Sequence, residues 1–547
     1  MSNWKQLVIL LLILILGLAL RIYNLDFPSI GYHNMKENES LSIAQLMRAS
    51  GDYTNQKVYF VDGLSDTPRY NSGGQLPLVP YQILFAWNIW GENLWGPRLV
   101  NVIFGILSVV LLWCLGRLFY KDALCALSAA LLLALMPIAV FFSRNLQAES
   151  PALFFMLAAT LLGARFAASG KHYNLFLSGI CMVISWLYKF NFLIGVVPLL
   201  FMLPYRRLFT SWKKGLLFCV SFVIPYAGAI VYAYAHNLFS GVPALGESII
   251  DACMLSYWKA HGDMILWYVK VENFTLVFAF LAVAGVCLAC FNRRSLFDRY
   301  CIGSLAAAIV YTGVYSAQIY QNNFSQMPFV VMVCCAAVYA VQFVAAELKR
   351  FFGKNLFIVV MIAAIGISSP AIYGALQRMQ VTFFAGLDAA GATLQEFSKP
   401  QERVFLLTYA QGNAIARYAR RYMGWPATLA EMQEKEKQYG IRLMCIYPAD
   451  YYGVLQRNNP DIAAYIKNNY RVKEAGLIEK PNNLVYFILE RGVEGKTIEN
   501  YLESAKIQLI PRAIYKVWGN YFFFYAIRPE NIMPQDAAVV DETKTQK

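Results

Sequence analysis

Long apolar runs separated by short polar clusters fill the first 376 positions of the chain, and the pattern changes abruptly after them. A helix needs roughly 20 apolar residues to cross a bilayer. Runs of that kind centre on residues 7–24, 97–118, 123–142, 150–168, 174–188, 191–205, 215–235, 273–291, 301–318, 328–346 and 355–376. They predict about eleven transmembrane helices, two of them short enough to form a single re-entrant pair. The first run, Leu7 to Leu20, lacks a small-residue cleavage site and passes straight into Arg21-Ile22-Tyr23, so it is expected to stay as a membrane helix.

From Gln377 to Lys547 the charge rises and the apolar positions break into short runs such as Val404-Phe-Leu-Leu-Thr, Arg442-Leu-Met-Cys-Ile-Tyr and Leu484-Val-Tyr-Phe-Ile-Leu. Helix-like stretches, Ala410 to Tyr422 and Pro460 to Tyr470, lie between them. Strands alternating with helices predict a small soluble α/β domain, long enough to bury a core of its own. It carries no Gly-rich phosphate loop, which favours a structural or acceptor-docking lid. The last residues, Asp536 to Lys547, are polar and expected to be disordered. The fold class read from the pattern is a polytopic α-helical membrane protein with a C-terminal soluble α/β domain. Residues 1–376 form the membrane domain, whose first extracytoplasmic loop is 25–96, and residues 377–547 form the extracytoplasmic domain.

Composition agrees with that reading: 58% of residues are hydrophobic and only 15% charged, a balance foreign to a soluble chain of 547 residues. The formal charge of +14, from 47 Lys and Arg against 33 Asp and Glu, comes mostly from clusters between apolar runs. Topology explains it without a nucleic-acid partner. With the N-terminus cytoplasmic, alternate loops carry Arg117 and Lys121, Lys171, Arg206, Arg207, Lys213 and Lys214, then Arg293, Arg294 and Arg299, then Lys349, Arg350 and Lys354. The other side then receives loop 25–96, the short loop Arg144 to Glu149, the turn at Lys189, loop 236–272 and the tail. The 11 Cys lie mostly in or beside apolar runs, and Cys287 and Cys290 read as small core residues.

Candidate chemistry concentrates in Gly31-Tyr-His-Asn-Met-Lys-Glu-Asn-Glu-Ser-Leu-Ser-Ile-Ala-Gln45, where charges clustered at the membrane surface run into an amphipathic helical pattern. Carboxylates kept at such a surface commonly act as bases or metal ligands, which singles out Glu37, Glu39 and, in the second short loop, Glu149. Glu149 precedes Ser150-Pro151 at a helix start, where simple dipole compensation is the competing explanation. Lys36, Arg69 with Tyr70, Arg98, Arg144 and Lys189 put cations on the side that the positive-inside bias disfavours. As a set they invite an anionic ligand such as a phosphate; snorkelling to headgroups is the alternative for any one of them. His33 and His261, paired with a Glu, would be the ligands of a divalent ion such as zinc, although no two ligands stand at a fixed short spacing. Trp258, Trp267 and Tyr268 read as an interfacial aromatic belt or a sugar-stacking wall.

The succession of Gly31-Tyr-His-Asn-Met-Lys-Glu-Asn-Glu-Ser-Leu-Ser-Ile-Ala, Gln75-Leu-Pro-Leu, Trp90-Gly-Glu-Asn-Leu-Trp-Gly-Pro-Arg98-Leu and Met136-Pro…Phe142-Ser-Arg-Asn-Leu-Gln-Ala-Glu149 resembles the GT-C glycosyltransferases of the protein-mannosyltransferase and aminoarabinose lipid A transferase group. The resemblance covers about residues 1 to 240, with a fainter echo at Ile265-Leu-Trp-Tyr-Val-Lys. It implies an enzyme of the inner (plasma) membrane that takes a sugar from a polyprenyl phosphate at the extracytoplasmic, periplasmic face and attaches it to a lipid, glycan or protein. It also implies a first-loop acid as catalytic base. Family members with an Asp-Glu pair place their Asp on Lys36, and those with a Trp-Arg-x-x-Asp pattern place theirs on Glu39, so the base stays open between Glu37 and Glu39. Glu149 matches the second-loop acid and Arg98 the Arg that opens the second helix. One base plus several cations meets the needs of a transfer whose leaving group departs as a phosphate anion, unlike the paired carboxylates of a glycosidase. A transporter or flippase of lipid-linked sugars is the alternative; it predicts repeated halves, and no internal repeat is evident.

Overall fold

The computed structural model describes residues 2–54, 56–61, 64, 76–235, 245–352, 355–409, 411–480, 483–502 and 508–528. Arg69, Tyr70, Gln75, Lys354, the stretch 236–244 and the tail Asp536–Lys547 lie outside the described residues. The chain forms two compact units, Met1–Phe27 with Asn71–Met379, and Pro28–Tyr70 with Gln380–Lys547.

The first unit is helical. Among the described residues, six helices are long and apolar enough to span a bilayer: Asn3–Ile22, Trp95–Tyr120, Glu149–Ser169, Trp212–Tyr232, Asn323–Lys349 and Leu356–Val381. Two bent pairs raise the number to eight if each is one span: Ala123–Leu135 with Pro137–Arg144, at 56°, and Leu255–Asn273 with Leu276–Asn292, at 106°. The first bend follows from Pro137, which has no N–H to continue the preceding helix and begins a new one at its first position. Among the described residues six to eight spans thus meet the length and apolarity of a bilayer crossing. The runs at 174–188 and 191–205 give a 17-residue helix, His172–Tyr188, then the 3-10 turn Phe190–Gly195 and the seven-residue helix Val196–Met202.

Helix packing in this unit uses small residues, which let backbones approach where burial of apolar surface gives no advantage over lipid. Helix Leu276–Asn292 packs on Val330–Phe352, and a Cβ at Gly285 would collide with the Ala336 carbonyl oxygen. Arg21, at the end of the first helix, is fully buried. Its Nη1 donates to the carbonyls of Gly17 and Ala134, both at 3.0 Å, tying that helix to Ala123–Leu135. The opposite face of the first helix leaves Leu7, Leu11, Leu12 and Ile15 exposed, the expected surface toward lipid.

The second unit is built on one seven-stranded sheet of β1 (Val404–Leu407), β2 (Met423–Gly424), β3 (Leu443–Ile446), β4 (Tyr470–Ile478), β5 (Asn483–Arg491), β6 (Gln508–Val517) and β7 (Asn520–Arg528). Its order is β2-β1-β3-β5-β4-β7-β6, parallel over the first three strands and antiparallel beyond. β1 and β3 are buried at every position, which is why they read as unbroken apolar runs. Helices Leu387–Phe397, Gly412–Ala419, Leu429–Tyr439, Tyr451–Asn458 and Pro460–Asn469 supply the α part. The hairpin β6–β7 turns through Trp518 and Gly519, both at positive φ, as a two-residue turn matched to strand twist requires.

A buried charge network fastens this sheet. Glu474 of β4 accepts from Arg528 Nε at 2.7 Å, Arg512 Nη2 at 3.0 Å, Tyr486 Oη at 2.8 Å and Thr393 Oγ1 at 2.7 Å. Both arginines also reach Glu396. Every oxygen of the buried carboxylate thus meets a donor, the condition under which a buried charge is tolerated.

Residues 28–70 belong to this same unit. Gly31 pairs with Phe383 and Phe60 with Met423, the latter extending the β2 edge in parallel. Helix Asn34–Ser50 packs on Gly412–Ala419. The acid-bearing part of the first loop is therefore folded against the C-terminal region.

Candidate active site

The N-terminal turn of helix Asn34–Ser50 carries Lys36, Glu37 and Glu39, and its geometry separates the two acids. His33, the residue before the helix, adopts φ 59°, and its ring lies 4.2 Å from that of Tyr32. Glu37 is buried and accepts from Ser29 Oγ at 2.5 Å. Asn38, also buried, donates through Nδ2 to the Ser29 carbonyl at 2.6 Å and accepts at Oδ1 from Arg417 Nε at 2.7 Å. The Tyr418 hydroxyl accepts from the Ser29 amide at 2.9 Å. Glu37 and Asn38 thus hold the turn at Ser29, and Arg417 and Tyr418 lock it to helix Gly412–Ala419.

Glu39 has a different setting. It pairs with Lys36 at 3.0 Å, and its side chain keeps 13% of its surface exposed while that of Lys36 keeps 56%. Burial pushes the Glu39 carboxyl above its ordinary range, and the Lys36 charge and hydrogen bond pull it back part of the way. A carboxylate with a raised pKa that solvent still reaches is suited to accept a proton near neutrality.

The other predicted residues lie in the first unit. Glu149 opens helix Glu149–Ser169 and is completely buried. Its Oε1 pairs with Lys189 Nζ, and Lys189 also stands 3.9 Å from the centre of the Phe324 ring. Its Oε2 is buried without a hydrogen-bond partner among the described residues. Dipole compensation alone does not require a lysine from the end of the next helix, so the pair is a feature of its own.

Asn101 organises the backbone that leads into Glu149. Its Nδ2 donates to the carbonyls of Asn145 and Gln147, its Oδ1 accepts from Gln82 Nε2 at 2.7 Å, and its own carbonyl accepts from Ser150 Oγ at 2.9 Å. Arg98 and Arg144 converge on the segment after the first helix. Arg98 Nη1 donates to the carbonyls of Leu25 at 2.8 Å and Phe27 at 2.5 Å, and Arg144 Nη2 donates to that of Asn24 at 2.8 Å. They clamp backbone carbonyls of the segment that follows the first helix.

Sequence reasoning missed several polar residues of this unit and of its partner. Glu272 is buried and accepts from Asn323 Nδ2 at 2.8 Å, while Asn273 Nδ2 reaches the Asn323 carbonyl and Gln326 Oε1, both at 2.9 Å. The signal available was a Glu-Asn pair interrupting an apolar run. Arg417 had no local signal, because only the fold brings it to Asn38.

The two predicted histidine ligands belong to different units. His261, in helix Leu255–Trp267, stacks on Tyr320 with ring centres 3.7 Å apart. Among the described residues no three His, Cys, Asp or Glu side chains are grouped to hold a metal ion.

The fold has solved counterparts. The chain is a multi-pass membrane protein with the fold of solved membrane glycosyltransferases. Residues 71–228 match the family described as dolichyl-phosphate-mannose-protein mannosyltransferase. The archaeal oligosaccharyltransferase AglB from Archaeoglobus fulgidus, solved with an inhibitory peptide and a dolichol-phosphate, shares the fold at a TM-score of 0.56 and 13% identity, covering 89% of this chain and 74% of that one. ArnT from Cupriavidus metallidurans in the apo state gives 0.56 and 13%, covering 89% and 98%. Bound to undecaprenyl phosphate, ArnT gives 0.51 and 11%, covering 98% and 100%. No curated protein matches the chain in sequence.

Proposed function

We propose that the protein transfers a sugar from a polyprenyl phosphate to a lipid, glycan or protein acceptor on the extracytoplasmic face of the inner membrane, with Glu39 as the base. Two of the solved relatives hold a dolichol-phosphate and an undecaprenyl phosphate, which supports a donor of that class. The Lys and Arg excess of the alternate loops supports the orientation. In the proposed reaction Glu39 takes the proton from the acceptor nucleophile as that atom bonds to the anomeric carbon. The bond from the anomeric carbon to the phosphate oxygen breaks, and the phosphate leaves as an anion. Arg98 and Arg144 hold backbone carbonyls and are assigned to shaping the segment after the first helix.

The observation that carries the reading is the contrast between the first-loop acids: Glu37 is committed to Ser29, whereas Glu39 is reachable and has its pKa raised. The test is transfer from a polyprenyl-phosphate sugar by the reconstituted protein. Glu39→Gln keeps size and hydrogen bonding but removes the basic oxygen, and turnover is expected to fall by about two to four orders of magnitude. Wild-type turnover in that variant would remove Glu39 from the chemistry.

A further inference from the structure

The first unit contains a cavity of about 300 Å³ lined by Asp251, Ser256, Tyr257, His261, Ser316 and Tyr320, with Met254, Ala260 and Ala317 completing the wall. A water molecule occupies roughly 30 Å³, so this space is large for solvent alone and falls at the small end of ligand pockets. The aromatic wall is a cluster of three rings in contact. His261 stacks on Tyr320, Tyr257 meets His261 edge to face at 5.1 Å and Tyr320 at 6.1 Å, and the Tyr257 hydroxyl is spent on the Ser316 carbonyl. Tyr257 therefore offers its ring rather than its polar tip. The remaining polar groups are one carboxylate, one imidazole, two serine hydroxyls and the Tyr320 hydroxyl, which accepts from Gln321 Nε2 at 3.3 Å and so has its proton to give.

The composition of this wall selects a ligand class. Among the described residues no Lys or Arg lines the cavity, and Asp251 would repel an anion, which disfavours a phosphate. One carboxylate and one imidazole are too few ligands for a metal ion. Six polar or amphipathic side chains exclude a lipid tail. What remains is a compact molecule with apolar C–H faces and neighbouring hydroxyls at its edge, because a carboxylate can accept from two adjacent hydroxyls while the ring faces pack on aromatics.

We propose that this cavity is a pyranose subsite that holds a sugar ring of the acceptor. This rests on the glycosyltransferase reading above and adds a place for the second substrate. Continuity along the chain supports it: Ser316 and Tyr320 of helix Ser316–Gln321 lead directly into the 3-10 turn Asn323–Phe329. That turn carries Asn323, the partner of Glu272, and Phe324, the ring beside Lys189. One short segment therefore supplies both the cavity wall and a neighbour of the buried Glu149–Lys189 pair.

The test is saturation-transfer NMR on the full chain in nanodiscs, with methyl α-mannopyranoside and methyl α-glucopyranoside as probes and the open-chain polyol sorbitol for comparison. Saturation is expected on the ring C–H protons of a pyranoside and not on sorbitol. Asp251→Asn, at an exposed position, is expected to weaken the pyranoside about tenfold, and Tyr320→Ala to abolish the signal. Absence of transfer to both pyranosides, or equal signals in wild type and both variants, would overturn the subsite. Glu39→Gln serves as the separating control. It is expected to keep pyranoside binding while losing turnover, so an active Glu39→Gln with intact binding would sink the assigned base and leave the subsite standing.

Discussion

Ser29 Oγ donates to Glu37 Oε2 at 2.5 Å across the turn that precedes the helix bearing both first-loop acids. That bond turns one of two neighbouring carboxylates into a fastener. The other, two residues on, lies on a different face of the helix and pairs with Lys36.

Glu37→Gln and Ser29→Ala are therefore expected to act on stability. Each removes a buried charge-assisted hydrogen bond, costing about 1.5–3 kcal/mol. Thermal unfolding in detergent should show the loss, with turnover per folded molecule close to wild type. A collapse of turnover without a drop in melting temperature would return Glu37 to the chemistry.

The raised pKa of Glu39 sets the sign of two pH effects. As a base it must be ionised, so the acid limb of the rate profile should lie above the ordinary value of about 4.3. Lys36→Met removes the charge that lowers the pKa, and the limb should move further up. For stability, the folded chain holds this proton more tightly than the unfolded one. The carboxyl therefore costs nothing below its unfolded pKa and becomes a penalty as pH rises through the folded value. Rate profiles of wild type and variant measured together check both the position and the direction.

Lys189→Met would leave Glu149 buried with no cation, and loss of one member of a buried pair costs about 3–5 kcal/mol. Pairing it with Glu149→Gln should recover much of that stability while transfer stays low. A double variant with full turnover would show that the pair serves the fold alone.

Glu474→Ala strands Arg512 and Arg528 against each other with Glu396 as their remaining carboxylate. A loss of similar size, about 3–5 kcal/mol, is expected from the uncompensated charge. Limited proteolysis of the intact protein should then cut first within Gln380–Lys547.

Reporter fusions after Lys214, Arg294 and Arg350 are expected to read cytoplasmic, and one after residue 400 extracytoplasmic, from the Lys and Arg asymmetry of the loops. A cytoplasmic reading at residue 400 would reverse the orientation proposed for the whole chain.

The membrane helices, strands β1, β3 and β5 and the helix Pro460–Asn469 were legible because each is written in a local period of apolar residues. The hairpin β6–β7 was not, since its strands are half exposed: Leu509, Ile514 and Tyr521 face outward and break the apolar run. The short runs at 174–188 and 191–205 fold as a 17-residue helix, a 3-10 turn and a seven-residue helix. At the candidate site the residue types were legible, because carboxylates are conspicuous beside apolar runs. Their division of roles was not, because Ser29, Arg417 and Tyr418 reach the turn from distant parts of the chain. No spacing rule connects Asn38 to Arg417.

Because Pro28–Tyr70 folds with Gln380–Lys547, the acid-bearing loop is made early and completed late. During synthesis at about 5–20 residues per second, it waits for tens of seconds while all of Asn71–Met379 is threaded into the bilayer. Helix Asn34–Ser50 has no Gly412–Ala419 to lie on in that interval, and the Ser29 turn has neither Arg417 nor Tyr418. Biogenesis thus imposes an order of its own: the membrane helices can be assembled, and a lipid-linked substrate already present around them, before the loop that bears the proposed base has acquired its shape. A chain cut short before residue 404 would insert normally and still lack a formed first loop, so loss of activity in such truncations would report on the N-terminal loop as much as on the segment removed.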